Sequence, residues 1–438
     1  MIPAKRSYFL LISGAIITTI IAVIIGNLTI SIIIALLYNI VILCLTIWDG
    51  MQVKSLRVQV TRQEINKLSI GRDNSIHLQV KTVKKSGDYI IEIKDDYPQE
   101  FTSSKNKLSL SLSSNKTEEI TYTVCPYKRG EYAWGNMTIR QLSPLGLAWH
   151  EWVINASQKV FVYPDLLALK SLAIKLSLQS TGTIRQARNL GMGTEFSELR
   201  EYSLGDDPRL IDWKATARLN RPLIRVLEPE QEQTLIILLD RGRLMTAKIK
   251  GMLRFDFGLN ALLSLTLAGI NRGDRVGIGV FDRQMTVWIP PQRGQQHLNK
   301  IIERLTPIQP EFLEPDYIHA VTTVVQQQSR RALVVIITDI VDAIASSELL
   351  GALARLTPRY LPFCVTLRDP QVDVIANSLK PDIIGGYNQA VALDLINQRK
   401  LAFANLQQKG VLVLDAPANQ ISEQLVDRYL QLKMRNRL

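Results

Sequence analysis

The segment TLIILLD at residues 234–240 decides the fold of the C-terminal half of this chain. It is a short, continuous apolar run that ends in an acid. Such a run is typical of a strand covered on both faces of a parallel sheet. A second run of the same kind, ALVVIITD, occupies residues 332–339. The two runs predict two buried parallel strands, which end at Asp240 and Asp339.

Helical and strand patterns alternate around these two runs. The predicted helices span 254–270, 295–305, 317–328, 346–355, 390–408 and 422–433. The other predicted strands span 276–281, 284–289 (an edge strand), 360–367 and 411–415. Regular alternation of this kind predicts a doubly wound α/β sheet over residues 230–438.

Acids follow four of the predicted strands. They are Asp240, Asp339, Asp369 and Asp415. Ligands of such sheets collect at the carboxyl ends of the strands, and hard divalent cations prefer oxygen ligands. The pattern therefore raises a metal-site hypothesis.

A dense polar stretch, GTEFSELREYSLGDDPRLIDWKATARLNRPLIRVLEP, precedes the sheet at residues 193–229. Asp207 followed by Pro208 is a helix-start signal, because the carboxylate can cap free N–H groups and proline fits the first turn. We predict one helix over 208–218, with Trp213 on its buried face.

The charges of this stretch admit two interpretations. They form either an ion-pair network that holds the stretch to the next domain or a recognition surface, and Arg209 is expected to pair with Asp212 three residues later. The candidate partner or interdomain residues are Glu195, Arg200, Gly205, Asp206, Asp207, Arg209, Asp212, Trp213 and Arg218.

The N-terminal region, residues 1–50, has two nearly charge-free runs at 8–25 and 28–48. A turn-favouring Gly-Asn pair separates them, and each run has the length of a membrane-crossing helix. We predict a two-helix transmembrane anchor and not a cleaved signal peptide. Basic residues flank the pair on its outer sides only, so the positive-inside rule predicts a two-pass inner (plasma) membrane protein with both termini in the cytoplasm.

Residues 51–165 contain about seven short segments of alternating apolar and polar residues, separated by turn residues. This pattern predicts an antiparallel β-sandwich. Residues 166–192 are predicted to be a linker, which follows an apolar helical start with a Ser-, Thr- and Gly-containing sequence.

Composition narrows the function classes. The 438 residues carry a net charge of +12, but acids interrupt the basic residues along the whole chain, so nucleic-acid binding is not predicted. The three cysteines, Cys44, Cys125 and Cys364, form no CxxC pair, which is the pattern of reduced thiols and not of a zinc site. The sequence contains no HExxH, GxSxG or P-loop motif.

Residues 193–218 closely resemble the signature of the bacterial family called domain of unknown function fifty-eight. Two membrane helices, a sandwich, this signature and a von Willebrand factor A-like domain follow one another in that family's order. The resemblance implies an accessory partner of a MoxR-type AAA+ ATPase in the assembly or maturation of protein complexes, and it implies no enzyme activity.

The resemblance also exposes a departure at the expected metal site. Von Willebrand A-like sites use Asp-x-Ser-x-Ser, but residues 240–244 read DRGRL, and the later loop at 313–316 has no threonine. Asp240 and Asp339 remain as weak metal candidates, and no cofactor is expected. The alternative is that Asp240 pairs with Arg241, Arg243 or another arginine.

Taken together, these features predict a membrane-anchored cytoplasmic interaction or adaptor protein. The 193–229 stretch is then a coupling and docking element. The alternatives are a hydrolase that uses the acids from Asp206 to Asp212 and an extracellular adhesion protein. The client complex and the oligomeric state have no signal in the sequence.

Overall fold

The computed structural model describes residues 1–25, 27–65, 67–82, 89–112, 117–176, 195–203, 205–228, 233–340, 347–378 and 383–434. They form two compact units, Met1–Tyr163 and Pro164–Leu438.

The first unit begins with two long apolar helices, α1 (Lys5–Ile25) and α2 (Leu28–Gln52). The Tyr38 hydroxyl donates to the carbonyl of Leu10 at 3.1 Å, and the same ring fills the space where a Cβ of Gly14 would lie. Only 11% of each apolar window is buried inside the molecule. By length and composition, both helices can cross a membrane.

The C-terminal end of α2 is fixed to the rest of the first unit. Asp49 in the last turns of α2 is buried and accepts hydrogen bonds from the backbone N–H groups of Leu145 at 3.1 Å and Leu147 at 3.2 Å, and from the Ser143 hydroxyl. The 143–147 turn therefore holds the C-terminal end of α2.

The strands of the first unit are short. They are β1 (Ile2–Pro3), β2 (Gln59–Arg62), β3 (Lys67–Ser69), β4 (Asn74–Lys81), β5 (Tyr89–Asp95), β6 (Thr102–Ser103), β7 (Leu108–Leu112), β8 (Thr117–Cys125), β9 (Gly130–Trp134), β10 (Met137–Leu142), β11 (Ala148–Ile154) and β12 (Gln158–Tyr163). They build three sheets of order β1-β11-β10-β5-β7, β2-β4-β8-β6 and β3-β12-β9. Strands β1, β3, β6 and β11 lie outside the segments predicted from the sequence, and Val53–Leu56, the start of the first of those segments, form a 3-10 helix.

One buried acid joins all three sheets of this unit. Asp95 at the end of β5 accepts hydrogen bonds from Trp134 of β9 at 3.1 Å and from Tyr122 of β8 at 2.7 Å, and it pairs with Arg62 of β2 at 2.7 Å. Burial and the neighbouring carboxylate raise the pKa of Tyr122, so its hydroxyl stays a donor.

The second unit is built on one six-stranded sheet. Its strands are β15 (Thr234–Asp240), β18 (Arg275–Phe281), β19 (Met285–Gln292), β20 (Leu333–Thr338), β21 (Leu361–Arg368) and β22 (Leu412–Pro417), and their order is β19-β18-β15-β20-β21-β22. All neighbours pair in parallel except the edge strand β19. The two apolar runs form the buried strands β15 and β20, as predicted, and these strands pair with each other in parallel.

Helices cover both faces of this sheet. They are α3 (166–176), α5 (Arg254–Asn271), α6 (Gln295–Leu305), α7 (Tyr317–Gln327), α8 (Ser347–Ala354), α9 (Pro370–Ala376), α10 (Ile383–Gln408) and α11 (Ile421–Met434). Leu235, Ile237 and Leu239 of β15 face one apolar core, and Ile236 and Leu238 face the other. A hairpin of β16 (Lys248–Ile249) and β17 (Met252–Leu253) precedes α5.

Two parts of this unit differ from the sequence expectation. The start of the expected linker, α3, packs into the sheet core through Leu169 and Leu176, and residues 177–192 lie outside the described residues. Helix α10 begins at Ile383 and not at 390, so its first turns include the Gly-Gly pair in spite of its poor helix propensity.

Candidate functional site

The polar stretch singled out in the sequence folds as a β-hairpin with a helical insertion. Strand β13 (Glu195–Glu201) pairs antiparallel with β14 (Leu223–Glu228), and a bulge lies between Phe196 and Glu198. A turn, a 3-10 helix (Pro208–Leu210) and helix α4 (Trp213–Leu219) lie between the strands. We call residues 195–228 the signature segment.

Two caps divide the predicted helix. The carboxylate of Asp207 accepts from the Arg209 N–H at 3.0 Å, which confirms the expected helix start at Pro208. The chain then leaves the helix at Ile211, and Asp212 caps α4 by accepting from the N–H groups of Lys214 and Ala215, each at 3.0 Å. The single helix over 208–218 is therefore wrong, because the sequence contains a second capping acid at Asp212.

Trp213 is a strongly exposed side chain of the signature segment. It is the first residue of α4 and has 71% of its surface exposed. No residue of this seven-residue helix is buried. The predicted buried face with Trp213 is wrong, because a helix that starts at Trp213 turns Ala215 and Thr216 inward instead.

The ion pairs found in the signature segment are internal. Arg200 pairs with Asp206 at 2.7 Å, and Arg225 pairs with Asp212 at 2.8 Å. A third pair joins Arg221 and Glu201. The described pairs thus brace the hairpin itself, and Asp212 binds Arg225 where Arg209 had been expected.

These contacts determine how the acids titrate. The pKa of Asp206 is lowered by the Arg200 guanidinium and then by the Ser203 N–H, and the pKa of Asp212 is lowered by the Ala215 N–H and then by Arg225. Both carboxylates stay ionised at neutral pH. Their oxygens are occupied by capping and ion-pair contacts.

The remaining predicted residues of the segment have backbone roles. Gly205 takes a φ of +110°, which only glycine adopts readily, so it forms the turn before the 3-10 helix. Arg218 lies in the last turn of α4, where a cation suits the helix dipole. The backbone of Glu195 in β13 lies opposite that of Glu228 in β14, at the open end of the β-hairpin.

Asp240, the first weak metal candidate, is fully buried at the end of β15. One carboxylate oxygen accepts from the Gly242 N–H at 2.7 Å, and the other accepts from the hydroxyls of Thr338 at 2.6 Å and Tyr317 at 3.1 Å. Burial raises the pKa of Asp240 to about 6, although these hydrogen bonds favour the ionised form.

The neighbouring arginines bind other acids. Arg241 pairs with Asp282 at 2.6 Å and with Glu311 at 2.9 Å, and Arg243 pairs with Glu314 at 2.6 Å. The expected pairing of Asp240 with Arg241 or Arg243 is therefore wrong. Neutral donors satisfy Asp240.

Asp339, the second weak metal candidate, lies between two guanidinium groups. Arg254 and Arg399 each approach its carboxylate to 2.7 Å. Arg399 also binds Asp415 at 2.7 Å, and Arg368 reaches Asp415 at 3.3 Å. Burial alone would lower the pKa of Arg399, but Asp339 and Asp415 reverse this effect and raise it.

In this arrangement, protein side chains and backbone N–H groups bind the acids at the strand ends. Asp240, Asp339 and Asp415 meet arginine or neutral donors at the same edge of the sheet, whereas Asp369 caps α9 through the Gln371 N–H at 2.9 Å. Within the described residues, no group of three or more His, Cys, Asp or Glu side chains could hold a metal ion. Gly242 stands at the position of the first serine in the Asp-x-Ser-x-Ser pattern, and a side chain there would place its Cβ 2.7 Å from the Leu313 carbonyl.

The sequence interpretation missed four residues of this edge. They are Arg254, Tyr317, Thr338 and Arg399. For Arg399 a signal existed, because it lies three and seven residues before Ala402 and Leu406, both buried, and therefore on the inward face of α10. For Arg254, the first residue of α5, no sequence pattern indicated an ion pair with a strand-end acid.

A second exposed surface lies on α9 and α10. Gln389 of α10 donates to the carbonyl of Ala376 of α9 at 3.1 Å, so the two helices are neighbours. Together they expose the large apolar side chains of Val374, Ile383, Ile384 and Tyr387. We call this surface the apolar patch.

Similar proteins occur in other bacteria. The "Uncharacterized protein Rv1480" of Mycobacterium tuberculosis is 24% identical over 210 residues, which cover 47% of this chain and 65% of that protein. The "Uncharacterized protein YeaD" of Bacillus subtilis is 21% identical over 42% of this chain and 44% of its own length. The chain thus matches less than two thirds of the length of these relatives.

Among solved structures, the conserved hypothetical protein BatB from Bacteroides thetaiotaomicron matches 47% of this chain and 100% of its own, with 12% identity and a TM-score of 0.31. The family comparison is the more specific finding. Residues 198–377, which include most of the signature segment and the sheet as far as α9, match the family described as "Protein of unknown function DUF58".

Proposed function

We propose that this chain is a member of that family and acts as a membrane-anchored cytoplasmic interaction protein. Its partner is a MoxR-type AAA+ ATPase, and the pair works in the assembly or maturation of protein complexes. The family resemblance supplies the partner. The observation that carries the docking role is the exposed Trp213 on a hairpin braced by its own ion pairs.

The anchor rests on α1 and α2. Both helices are long and apolar enough to cross a bilayer, and little of their apolar surface is buried inside the molecule. Lys5 and Arg6 precede α1, and Lys54, Arg57 and Arg62 follow α2, whereas the Gly26-Asn27 turn has no charge. The positive-inside rule then supports an inner (plasma) membrane hairpin with both termini in the cytoplasm.

The second unit supports a von Willebrand factor A-like assignment. Its doubly wound arrangement has one antiparallel edge strand, and Asp240 ends the central strand β15. In this proposal the arginine contacts of Asp339 replace the cation of such domains. The strand-end edge then serves as a rigid support and needs no cofactor.

Trp213 has the properties of a docking anchor. Tryptophan is enriched among the residues that contribute most to protein interfaces, because a large flat side chain buries much area at little entropic cost. Here it extends from a short helix that is capped by Asp212 and tied to β14 through Arg225. A rigid hairpin with an exposed aromatic tip suits recognition of a protein surface.

The hydrolase alternative fits the same segment less well. A general acid near neutral pH needs a raised pKa in a cleft. Asp206 and Asp212 have lowered pKa values, and their oxygens are held by Arg200, Arg225 and backbone donors. Acids in these contacts favour a structural role.

The first test is affinity purification of the tagged full chain from gently solubilised native membranes. We expect the wild type to recover a MoxR-type ATPase, and Trp213→Ala to recover at most a tenth as much, which corresponds to about 1.4 kcal/mol of docking energy. The control is Leu401→Ala, which removes an exposed apolar side chain of α10 outside the signature segment. Equal recovery by the two variants would contradict the assignment.

A charge reversal separates recognition from folding. Arg200→Asp alone breaks the pair with Asp206, whereas Arg200→Asp together with Asp206→Arg keeps opposite charges at the same two positions. If the segment is a docking surface, the double variant regains part of the thermal stability that Arg200→Asp loses but not the ATPase, and the part not regained is the Ser203 N–H bond to Asp206. Recovery of both would assign the pair to folding alone.

A further inference from the structure

A cavity of about 510 Å³ lies in the first unit, beside the base of the helical hairpin. Its described lining comes from two places in the chain: the segment that follows α2 and the end of β11. The lining residues are Lys54, Arg57, Val58, Gln59, Val60, Thr61, Trp152 and Ile154. These residues include two cations and no carboxylate.

The guanidinium of Arg57 is positioned from two sides. Its carbon lies 5.4 Å from the centre of the Trp152 ring, and one of its nitrogens donates to Nε2 of His150 at 3.2 Å. Burial and the nearby Arg57 lower the pKa of His150, so the imidazole stays neutral and accepts this hydrogen bond. A guanidinium has five N–H donors, and one such contact leaves others for a ligand.

The cations stand close to the end of α2. The helix ends at Gln52, and a 3-10 helix continues directly through Val53–Leu56. With a rise of about 2 Å per residue, Lys54 and Arg57 lie roughly 4 Å and 10 Å beyond that end. The headgroup layer on each side of a bilayer is about 5–8 Å thick. If α2 crosses the membrane, Lys54 lies within the headgroup layer, and Arg57 lies just beyond it, from where its long side chain reaches back to the phosphates.

We infer that this cavity binds the phosphate-bearing headgroup of an anionic membrane phospholipid. The inference rests on the membrane anchor of the proposed function, but not on the ATPase. The Lys54 ammonium and the Arg57 guanidinium bind the phosphate, and Gln59 and Thr61 supply neutral hydrogen-bond donors at the rim. Trp152 contributes the amphipathic ring that is common at membrane interfaces.

The location gives this site a specific consequence. The 3-10 turn joins α2 to the sandwich edge β2, and the buried Asp49 fixes the same end of α2 to the 143–147 turn. A bound headgroup therefore contacts the joint between the hairpin and the sandwich. Anionic lipid would stabilise this joint as well as attract it to the membrane.

The test is native mass spectrometry of the full chain released from detergent micelles, with added phosphatidylglycerol or phosphatidylcholine. We expect preferential binding of the anionic lipid. Lys54→Gln together with Arg57→Gln should weaken that binding about 30-fold, and Lys54→Gln alone about five-fold, at one charge contact each. The control pair, Lys128→Gln with Arg140→Gln, removes the same charge elsewhere in the unit and should change binding less than three-fold.

The other outcomes overturn the inference. Equal binding of the two lipids would show that the site does not select an anionic headgroup. Equal loss in the two double variants would show a nonspecific charge effect. Competition by millimolar inorganic phosphate or glycerol phosphate would assign the site to a soluble phosphate compound. If the double variant fails to fold, the exposed Lys54→Gln variant still decides. ATPase recovery plays no part in this assay, so the two proposals fail independently.

Discussion

Replacing Arg399 by methionine tests whether arginine holds the strand-end edge together. Arg399 is buried and pairs with Asp339 and Asp415, each at 2.7 Å. Methionine keeps much of the side-chain volume and removes the charge and the donors. The expected result is a loss of folding free energy in the second unit.

The structure sets the size of this loss. Removing one partner of a buried ion pair typically costs about 3–5 kcal/mol, because a buried charge is left without compensation. Here Asp339 keeps Arg254 and Asp415 keeps Arg368, so the lower end applies, about 3 kcal/mol. For a unit of this size the melting temperature then falls by about 6–12 °C.

The assay is thermal unfolding of the full chain in detergent, followed by limited proteolysis of the second unit. The matched control is Arg243→Met, which breaks an exposed pair with Glu314 and should cost less than about 1 kcal/mol. If Arg399→Met melts within 2 °C of this control, the arginine contacts do not support the edge. Added Mg²⁺ should change neither melting temperature.

Three further predictions follow from individual contacts. The pKa of Asp240 is raised to about 6, so this group stabilises the fold below about pH 4, and its contribution is lost as the pH rises through 6. Urea titrations of the wild type should therefore show a stability difference between pH 5 and pH 7 that is about 1 kcal/mol larger than that of Asp240→Asn. Asp49→Ala should cost the first unit about 2 kcal/mol, measured by its proteolysis midpoint in urea, because buried donors lose their acceptor. Trp213→Ala should leave the melting temperature within 2 °C of the wild type, since the side chain is exposed.

Much of the sheet domain could be predicted from the sequence. Strands β15 and β20 are buried on both faces, so their apolar composition identifies them. An acid follows the last apolar residue of each strand, and because the strands are parallel the two acids lie at the same end of the sheet. The helices with regular apolar spacing were placed within a few residues, as α6 shows. Local pattern and tertiary environment agree in these elements.

The sequence failed where long-range contacts override local pattern. In one helix over 208–218, spacing puts Trp213 on the same buried face as Leu210 and Ala217, but the cap at Asp212 starts a new helix and leaves Trp213 exposed. The partner of Asp240 was expected among adjacent arginines, yet its donors come from Thr338 and Tyr317, far along the chain. The order of the strands in the sheet brings such distant residues together, and no local sequence pattern encodes that order.

The same limit explains Asp95. Its three partners lie on β2, β8 and β9, and only the folded unit brings them together. The cavity at Lys54 and Arg57 was equally hidden, because Trp152 reaches it from a strand that was not predicted.

Site-specific photo-crosslinking in intact membranes tests directly whether the signature segment docks the ATPase, with benzoylphenylalanine at position 213 and, as control, at position 401. We expect an adduct between position 213 and a MoxR-type ATPase that is at least ten times more abundant than at position 401. An ATPase adduct of equal yield at both positions, or none at 213, would contradict it.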